Sequence, residues 1–217
     1  MIQNLSFDDS MLRAFIEHSV KSAKPSPWHI TRYAMYTALD QVLAAQDRPD
    51  ALVASISHSR QLANVCGVQR GRFVDLNYPD YNILKLPFAD NTFDLAFADM
   101  VMEHVEGNPW DAYREITRIL KPGGHVVLTT VFAFPYHPCP GDFWRYTESG
   151  LRMLATGHGH EVLKAGSWGN LQVFILDRLG CADLKVPEDP GHPLHQLATT
   201  TDPRWPTTVW LVVRKPA

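Results

Sequence analysis

Residues 86–105 read LPFADNTFDLAFADMVMEHV, and the way this run is built decides the fold. Asp90-Asn91 is a turn signal. The apolar segment Phe93–Ala98 that follows it predicts a short strand. Asn108-Pro109 then opens a helix, with Asn108 as N-cap and Pro109 at the first helical position. Trp110, Tyr113, Ile116 and Leu120 form that helix's expected apolar face. The chain continues as ILKPGGHVVLTT (Ile119–Thr130). Lys121-Pro122-Gly123-Gly124 is expected to end the helix, and His125–Val131 is rich in β-branched residues and predicts a strand.

Outward from this block the strand–helix alternation persists. Upstream, Ala51–Ile56 and Phe73–Leu76 are predicted strands, separated by a short helix, Arg60–Cys66, that stops at Gly67. Downstream come a helix near Glu148–Ala155, a strand at Glu161–Leu163 and a helix near Asn170–Leu179. A proline-rich connection runs from Pro187 to Pro206, and Thr208–Val213 is a final strand. Residues 8–46 read as helices broken at Lys24-Pro25-Ser26-Pro27, with Met11, Leu12, Phe15 and Ile16 on one apolar face. The expected division is an N-terminal helical cap, residues 1–49, and an α/β domain, residues 50–217, built on a mainly parallel sheet. Ligands of such sheets bind beyond the carboxyl ends of the strands, so chemistry is expected just after Ile56, Leu76, Ala98 and Val131.

The first of these places reads ASISHS (Ala54–Ser59). Cofactor-binding folds often carry glycines here, spaced G-x-G-x-G, because glycine tolerates positive φ and lets the backbone approach the ligand. Ser55, Ser57 and Ser59 stand at that spacing. Their hydroxyls suit a ligand carboxylate or the cap of the next helix.

Bulk properties narrow the function. The chain has 217 residues, 45% hydrophobic, with a net charge of −3. Nothing in that balance favours a nucleic-acid or membrane-surface partner. No apolar run approaches membrane-spanning length. MIQNLSFDDS lacks a basic n-region and an apolar h-region, so secretion is not expected. Cys66, Cys139 and Cys181 are widely spaced and odd in number, which argues for a reducing, cytoplasmic setting and against a disulfide framework. The histidine pairs His158/His160 and His192/His195 are read as solvated loop residues, and no metal is expected.

The ordered elements LPF-x-D-x-T-FD, EHV, E-x-x-R-x-LKPGG and, further on, HPCPGDFWRYT (His137–Thr147) resemble the class I S-adenosylmethionine (SAM)-dependent methyltransferases, specifically the small type 11 domain. The resemblance runs over about residues 50–216. It implies a Rossmann-like, doubly wound, seven-stranded and mostly parallel sheet with its last strand antiparallel, binding SAM across the tops of the first strands. Within this resemblance ASISHS is a degenerate glycine-rich motif. A second register sets Ile56-Ser57-His58 against an I-S-G variant, which places His58 where a glycine is usual.

Asp75 stands 20 residues after Ser55, the spacing of the acid that accepts bonds from the ribose hydroxyls in Rossmann-like sites. Asn77 is its competitor if the strand is shifted. The resemblance assigns Asn82, with the backbone of Ile83, to the adenine, and Asp99 and Met100 to the methionine end. Glu103-His104 are expected at the pocket floor, with a purely structural His104 as the alternative.

For chemistry, His137 is the first candidate base, in the loop after the His125–Val131 strand. His104 and His29 are the reserves. Asp142, Arg145 and Tyr146 beside it either orient a polar substrate or pin the loop through an ion pair. The resemblance also suggests an acceptor lid from Trp28, Arg32 and Tyr33. The expected activity is SAM-dependent methyl transfer to a small-molecule acceptor, with O-methylation expected, and with no nucleic-acid or membrane partner. The competing expectation is a methyltransferase-like protein that does not transfer methyl groups, suggested by the serines of ASISHS. Oligomeric state is not legible.

Overall fold

The computed structural model describes residues 9–217. Most of MIQNLSFDDS lies outside the described residues, as do the expected helix start at residue 8 and the contribution of the Met11 side chain to the first apolar face. Seven α-helices, two short 3-10 helices and eight strands are present among the described residues. The chain divides into two compact units. Of the described residues, 9–37 and 168–207 make up one, and 38–167 and 208–217 the other.

In the first unit, α1 (Asp9–Lys21) leads to β1 (Pro25–His29) and α2 begins at Ile30. PSPWH was expected only to break two helices. It is instead a strand, pairing antiparallel with β7 (Lys185–Pro187). The prolines are tolerated because this is a two-stranded ribbon with open edges. Helix α6 (Leu171–Arg178) starts at Asn170, whose side chain accepts from Val173 N. The proline-rich connection also contains a helix, α7 (Pro193–Thr199), capped by His192, whose Nδ1 accepts from Leu194 N at 3.1 Å. A proline at the first helical position was the overlooked signal.

The second unit holds the main sheet. It contains β2 (Leu52–Ile56), β3 (Arg72–Leu76), β4 (Phe93–Asp99), β5 (Leu120–Val131), β6 (Glu161–Trp168) and β8 (Thr208–Arg214) in the order β3-β2-β4-β5-β8-β6. The implied seven strands are therefore six. The pairs β2–β3, β2–β4 and β4–β5 are parallel, and β8 runs antiparallel to β5. Because β3 and β4 flank β2 on opposite sides, the order reverses there, creating the switch-point crevice at the carboxyl ends of β2 and β4. Leu95–Ala98 and Val126–Val131 are buried throughout, as central parallel strands covered on both faces require.

Helices α3 (Arg60–Val65), α4 (Pro109–Arg118) and α5 (Glu148–Thr156) belong to this unit. Asn108 Oδ1 accepts from Trp110 N at 3.0 Å, the expected cap. Tyr113 and Ile116 enter the core, but Trp110 does not: it is 38% exposed, and its ring stacks on His158. Leu120 belongs to β5 rather than to the helix, because β5 runs through LKPGG with a register irregularity opposite Phe93–Leu95. Gly123 has φ +77°, and a Cβ on Gly124 would lie 2.8 Å from Lys121 O and 2.9 Å from Asp94 O. The two glycines let the strand pass this irregularity. His160 Nδ1 faces Tyr113 OH at 2.9 Å and His158 Nδ1 faces Leu154 O at 2.8 Å, so neither is a merely solvated loop histidine.

Candidate functional site

The loop after β2 keeps the backbone shape that glycines usually supply. Ser57 has φ +49° and His58 has φ +64°. Left-handed backbone at consecutive non-glycine residues costs on the order of 1 kcal/mol or more each, so neighbouring bonds must hold it. Ser57 N donates to Leu76 O at 3.1 Å, and His58 N donates to Asn77 Oδ1 at 2.9 Å. The His58 side chain is exposed at the tip.

The three serines have different fates. Ser55 is fully buried on β2, opposite Asp75 in register. Its hydroxyl meets no hydrogen-bond geometry, although it lies near enough to Asp75 to help depress that carboxyl. Ser57 occupies the turn. Ser59 is buried, and its hydroxyl donates to Ile56 O and accepts from Asp99 N at 2.7 Å. It makes no cap bond to α3. Ser59 therefore ties the ends of β2 and β4 together at the switch point. Ser59→Ala leaves the partly buried Asp99 N–H without this acceptor and is expected to cost about 1–3 kcal/mol. A lower denaturation midpoint at unchanged slope checks this; an unchanged midpoint would refute it.

Asp75 closes β3 but is already engaged. Arg60 Nε and an Arg60 terminal nitrogen meet its two carboxylate oxygens at 2.8 and 2.6 Å. This guanidinium is the main cause holding the Asp75 carboxyl below its usual range, against a smaller opposing effect of burial. Arg60 also lies over the Phe73 ring at 5.0 Å. Asn82 Oδ1 accepts from Leu84 N at 2.9 Å, forming a local turn around Ile83. Met100 has φ +52°, and its N–H is shared between Thr129 O and Thr129 Oγ1, both at 3.0 Å. Thr129 Oγ1 also donates to Asp99 Oδ1.

Beyond β4 and β5 a second cluster forms. Glu103 is fully buried, and its Oε2 accepts from Thr130 Oγ1 at 2.8 Å. Its carbonyl accepts from Phe143 N and Trp144 N at 2.8 and 3.1 Å, docking the loop that follows β5. His104 Nδ1 is held by Gly141 O. His137 Nδ1 faces Pro135 O at 2.9 Å and Asp142 Oδ2 at 3.3 Å. The two imidazoles meet edge to face at 5.0 Å.

Asp142 carries the loop. Its side chain is 1% exposed and pairs with Arg145 through both oxygens, while Oδ2 also accepts from His137 N at 2.9 Å. The Arg145 guanidinium, ahead of the opposing effect of burial and helped by the His137 N–H, holds this carboxyl well below the usual range. Tyr146 OH donates to Met102 O at 3.2 Å, and burial, reinforced by Glu103, pushes its phenol up. These contacts support the loop-pinning alternative for Asp142 and Arg145.

His29, Arg32 and Tyr33 lie in the first unit, where His29 Nδ1 meets Thr31 Oγ1 at 2.9 Å and Tyr33 packs its ring against His195. Sequence reasoning missed Thr129, Thr130 and Arg60. The two threonines were legible only as β-formers, although they close a strand at the ligand-binding edge.

Comparison with known proteins finds a likeness over part of the chain. Residues 36–128 match the model of a family described as a methyltransferase domain. This match takes in less than half of the chain, and over it the chain is similar to a methyltransferase domain. An uncharacterized methyltransferase of Mycobacterium avium (strain 104) is 29% identical over 125 residues, which is 56% of this chain and 47% of the relative. The uncharacterized Escherichia coli (strain K12) protein YafE is 36% identical over 101 residues, which is 46% of this chain and 42% of the relative. The chain thus spans less than half the length of these curated relatives. The solved structure of the cyclase SpnF is 18% identical, covers 95% of this chain and 93% of its own, and superposes with a TM-score of 0.51, which shows a shared fold. No helix among the described residues is long and apolar enough to cross a membrane.

Proposed function

We propose that the protein transfers a methyl group from SAM to an oxygen nucleophile of a small molecule. The observation that carries this reading is the left-handed pair Ser57–His58, which preserves the cofactor-turn backbone without its glycines. A loop with no ligand to approach would have little reason to retain such strain.

The residues fit SAM at the level of backbone and charge. The turn at Ser57–Ser59 would face the methionine end together with Asp99 and Met100. Asp75 would take the ribose hydroxyls after releasing Arg60, whose side chain is 52% exposed. Asn82 Oδ1 retains a second lone pair for the adenine amino group, beside the backbone of Ile83.

Bound SAM supplies an already activated methyl group, so the chain's own task is alignment and handling of the acceptor proton. In its neutral form His137 carries hydrogen on Nδ1, because Pro135 O can only accept. Nε2 is then the basic atom available for an acceptor hydroxyl. Asp142 holds the ring through the His137 N–H and is a positioning residue. The net charge of −3 favours a small acceptor over a nucleic acid. Three free cysteines, one of them exposed, suit a reducing cytoplasm.

A second reading is favoured by the Arg60–Asp75 fork, which already engages the carboxylate a ribose would need, and by His58 standing at a left-handed position where a glycine is usual. In that case the fold serves a different reaction; the shared fold of the cyclase SpnF is consistent with such reuse. Calorimetry separates the two. Wild type is expected to bind SAM and S-adenosylhomocysteine. His58→Gly is expected to bind both more tightly and to gain about 1 kcal/mol of stability by relieving left-handed strain. No heat from either ligand with either protein would sink the methyl-transfer reading.

A further inference from the structure

The cluster beyond β4 and β5 has the make-up of a metal centre. Glu103, His104 and His137 each offer one donor atom within 4.8 Å of the other two. We propose that these three residues bind one divalent first-row transition-metal ion, of which zinc is the simplest probe, leaving a coordination position open to a water or an acceptor oxygen.

Three observations carry this. First, the ring orientations are set from behind. His104 Nδ1 is held by Gly141 O and His137 Nδ1 by Pro135 O, and a carbonyl oxygen can only accept. Each neutral ring therefore carries hydrogen on Nδ1 and a lone pair on Nε2. A backbone carbonyl behind one ring nitrogen is the usual support of a metal-bound imidazole. Second, the carboxylate between them is fully buried and oriented by Thr130. Glu103 Oε1 and His104 Nε2 are 3.9 Å apart, beyond a hydrogen bond. Bond lengths of about 2.0–2.2 Å place neighbouring ligands of a tetrahedral ion roughly 3.3 Å apart, so small side-chain rotations close the site. Third, Arg145, a cation that feels the Glu103 charge, does not oppose a metal. Arg145 is neutralised by Asp142, which takes it on both oxygens.

Two imidazoles and one carboxylate select a transition metal over magnesium or calcium, which prefer oxygen ligands. The site lies at the ligand-binding edge of the sheet. A bound ion would polarise an acceptor hydroxyl or carboxylate there, taking over the task that His137 Nε2 performs as a base. That consequence rests on the proposed methyl transfer; binding of the ion does not.

The test uses the full chain after chelator treatment and dialysis, titrated calorimetrically with zinc and spectroscopically with cobalt(II). The expected result is one equivalent of metal and a visible cobalt ligand-field band. His137→Gln and His104→Gln should each weaken binding by more than about 100-fold, the upper end of what losing even a supporting partner costs. His137 is partly exposed, so its variant is expected to fold, and near-ultraviolet circular dichroism checks this; should His104→Gln unfold, His137→Gln alone decides. Cys139→Ser and His158→Gln should bind normally, since Cys139 is an exposed thiol further along the His137 loop and outside the three-donor cluster, and His158 belongs to the Trp110 stack. Absence of metal binding, binding unchanged in the folded His137→Gln variant, or loss of binding in Cys139→Ser or His158→Gln would overturn the proposal. SAM calorimetry on the same sample keeps the readings apart. Metal binding without SAM binding sinks only the methyl-transfer reading, and SAM binding without metal binding sinks only this one.

Discussion

His137→Ala is expected to lower the proposed methyl transfer by about 10²- to 10⁴-fold, the usual contribution of a positioned proton acceptor, and to leave SAM affinity unchanged. The split follows from where the atoms sit. His137 belongs to the loop after β5 and is tied to Asp142 and Pro135. The turn assigned to the cofactor is Ser57–Ser59, bonded to the end of β3. Removing the imidazole leaves the Asp142–Arg145 pair and the His137 backbone N–H in place, so the loop keeps its anchor. The measurement is S-adenosylhomocysteine formation across small hydroxylated and carboxylated compounds, with SAM binding followed calorimetrically. Equal loss of affinity and turnover would make His137 a structural support of the crevice. Unchanged turnover would remove it from the mechanism. The prediction holds whether Nε2 takes a proton or a metal ion, because alanine abolishes both.

Much of the fold was legible because its signals are local. Asn108-Pro109 encodes its own cap, and the apolar runs of β2, β4 and β5 announce central strands. What failed depended on partners far away in the chain. PSPWH has no alternation and two prolines, and becomes a strand only because Lys185–Pro187 pairs with it. Trp110 keeps helical spacing, yet turns outward to stack on His158. Leu120 looked like the last apolar residue of a helix, but β5 already begins there, since the irregularity at LKPGG is absorbed within the strand.

The candidate site divides along the same line. The positions after β2, β4 and β5 followed from topology, and the concern over His58 was well aimed, since it occupies a left-handed position. The commitments of individual side chains were not legible. Nothing in ASISHS says that Ser59 will accept from Asp99 N, 40 residues on, while Ser55 sits buried in the strand. Nor does any spacing rule pair Asp75 with Arg60. These are three-dimensional choices of a hydroxyl and a carboxylate among several reachable partners, whereas strand and cap signals involve only neighbours in sequence.

Asp94→Ala is expected to destabilise the fold by about 3 kcal/mol, without touching the candidate site. Asp94 sits at the opposite, amino-terminal edge of β4. Its Oδ2 accepts from Leu52 N at 2.8 Å and from Lys121 Nζ at 2.9 Å, and Arg48 approaches Oδ1 at 3.5 Å. It thus joins the starts of β2, β4 and β5. Hydrogen bonds to a charged group contribute about 1.5–3 kcal/mol, and alanine leaves the Leu52 N–H without its acceptor. Asp94→Asn keeps that acceptor and loses only the charge towards Lys121 and Arg48, both of which are about half exposed, so it should cost no more than about 1 kcal/mol. Burial pulls the Asp94 carboxyl up, but the Leu52 N–H, Lys121 and Arg48 together more than offset this and hold it below its usual range. A folded-state pKa below the unfolded value means that the carboxylate's contribution is fully present above an unfolded pKa of about 3.9 and is lost as pH falls through the lower folded value. The stability gap between wild type and Asp94→Asn should therefore be widest near neutrality and close in acid. Denaturant titrations of both proteins across that range measure it. A gap that widens as pH falls would reverse the sign, and would mean that the Lys121 and Arg48 contacts do not outweigh the cost of burying the charge.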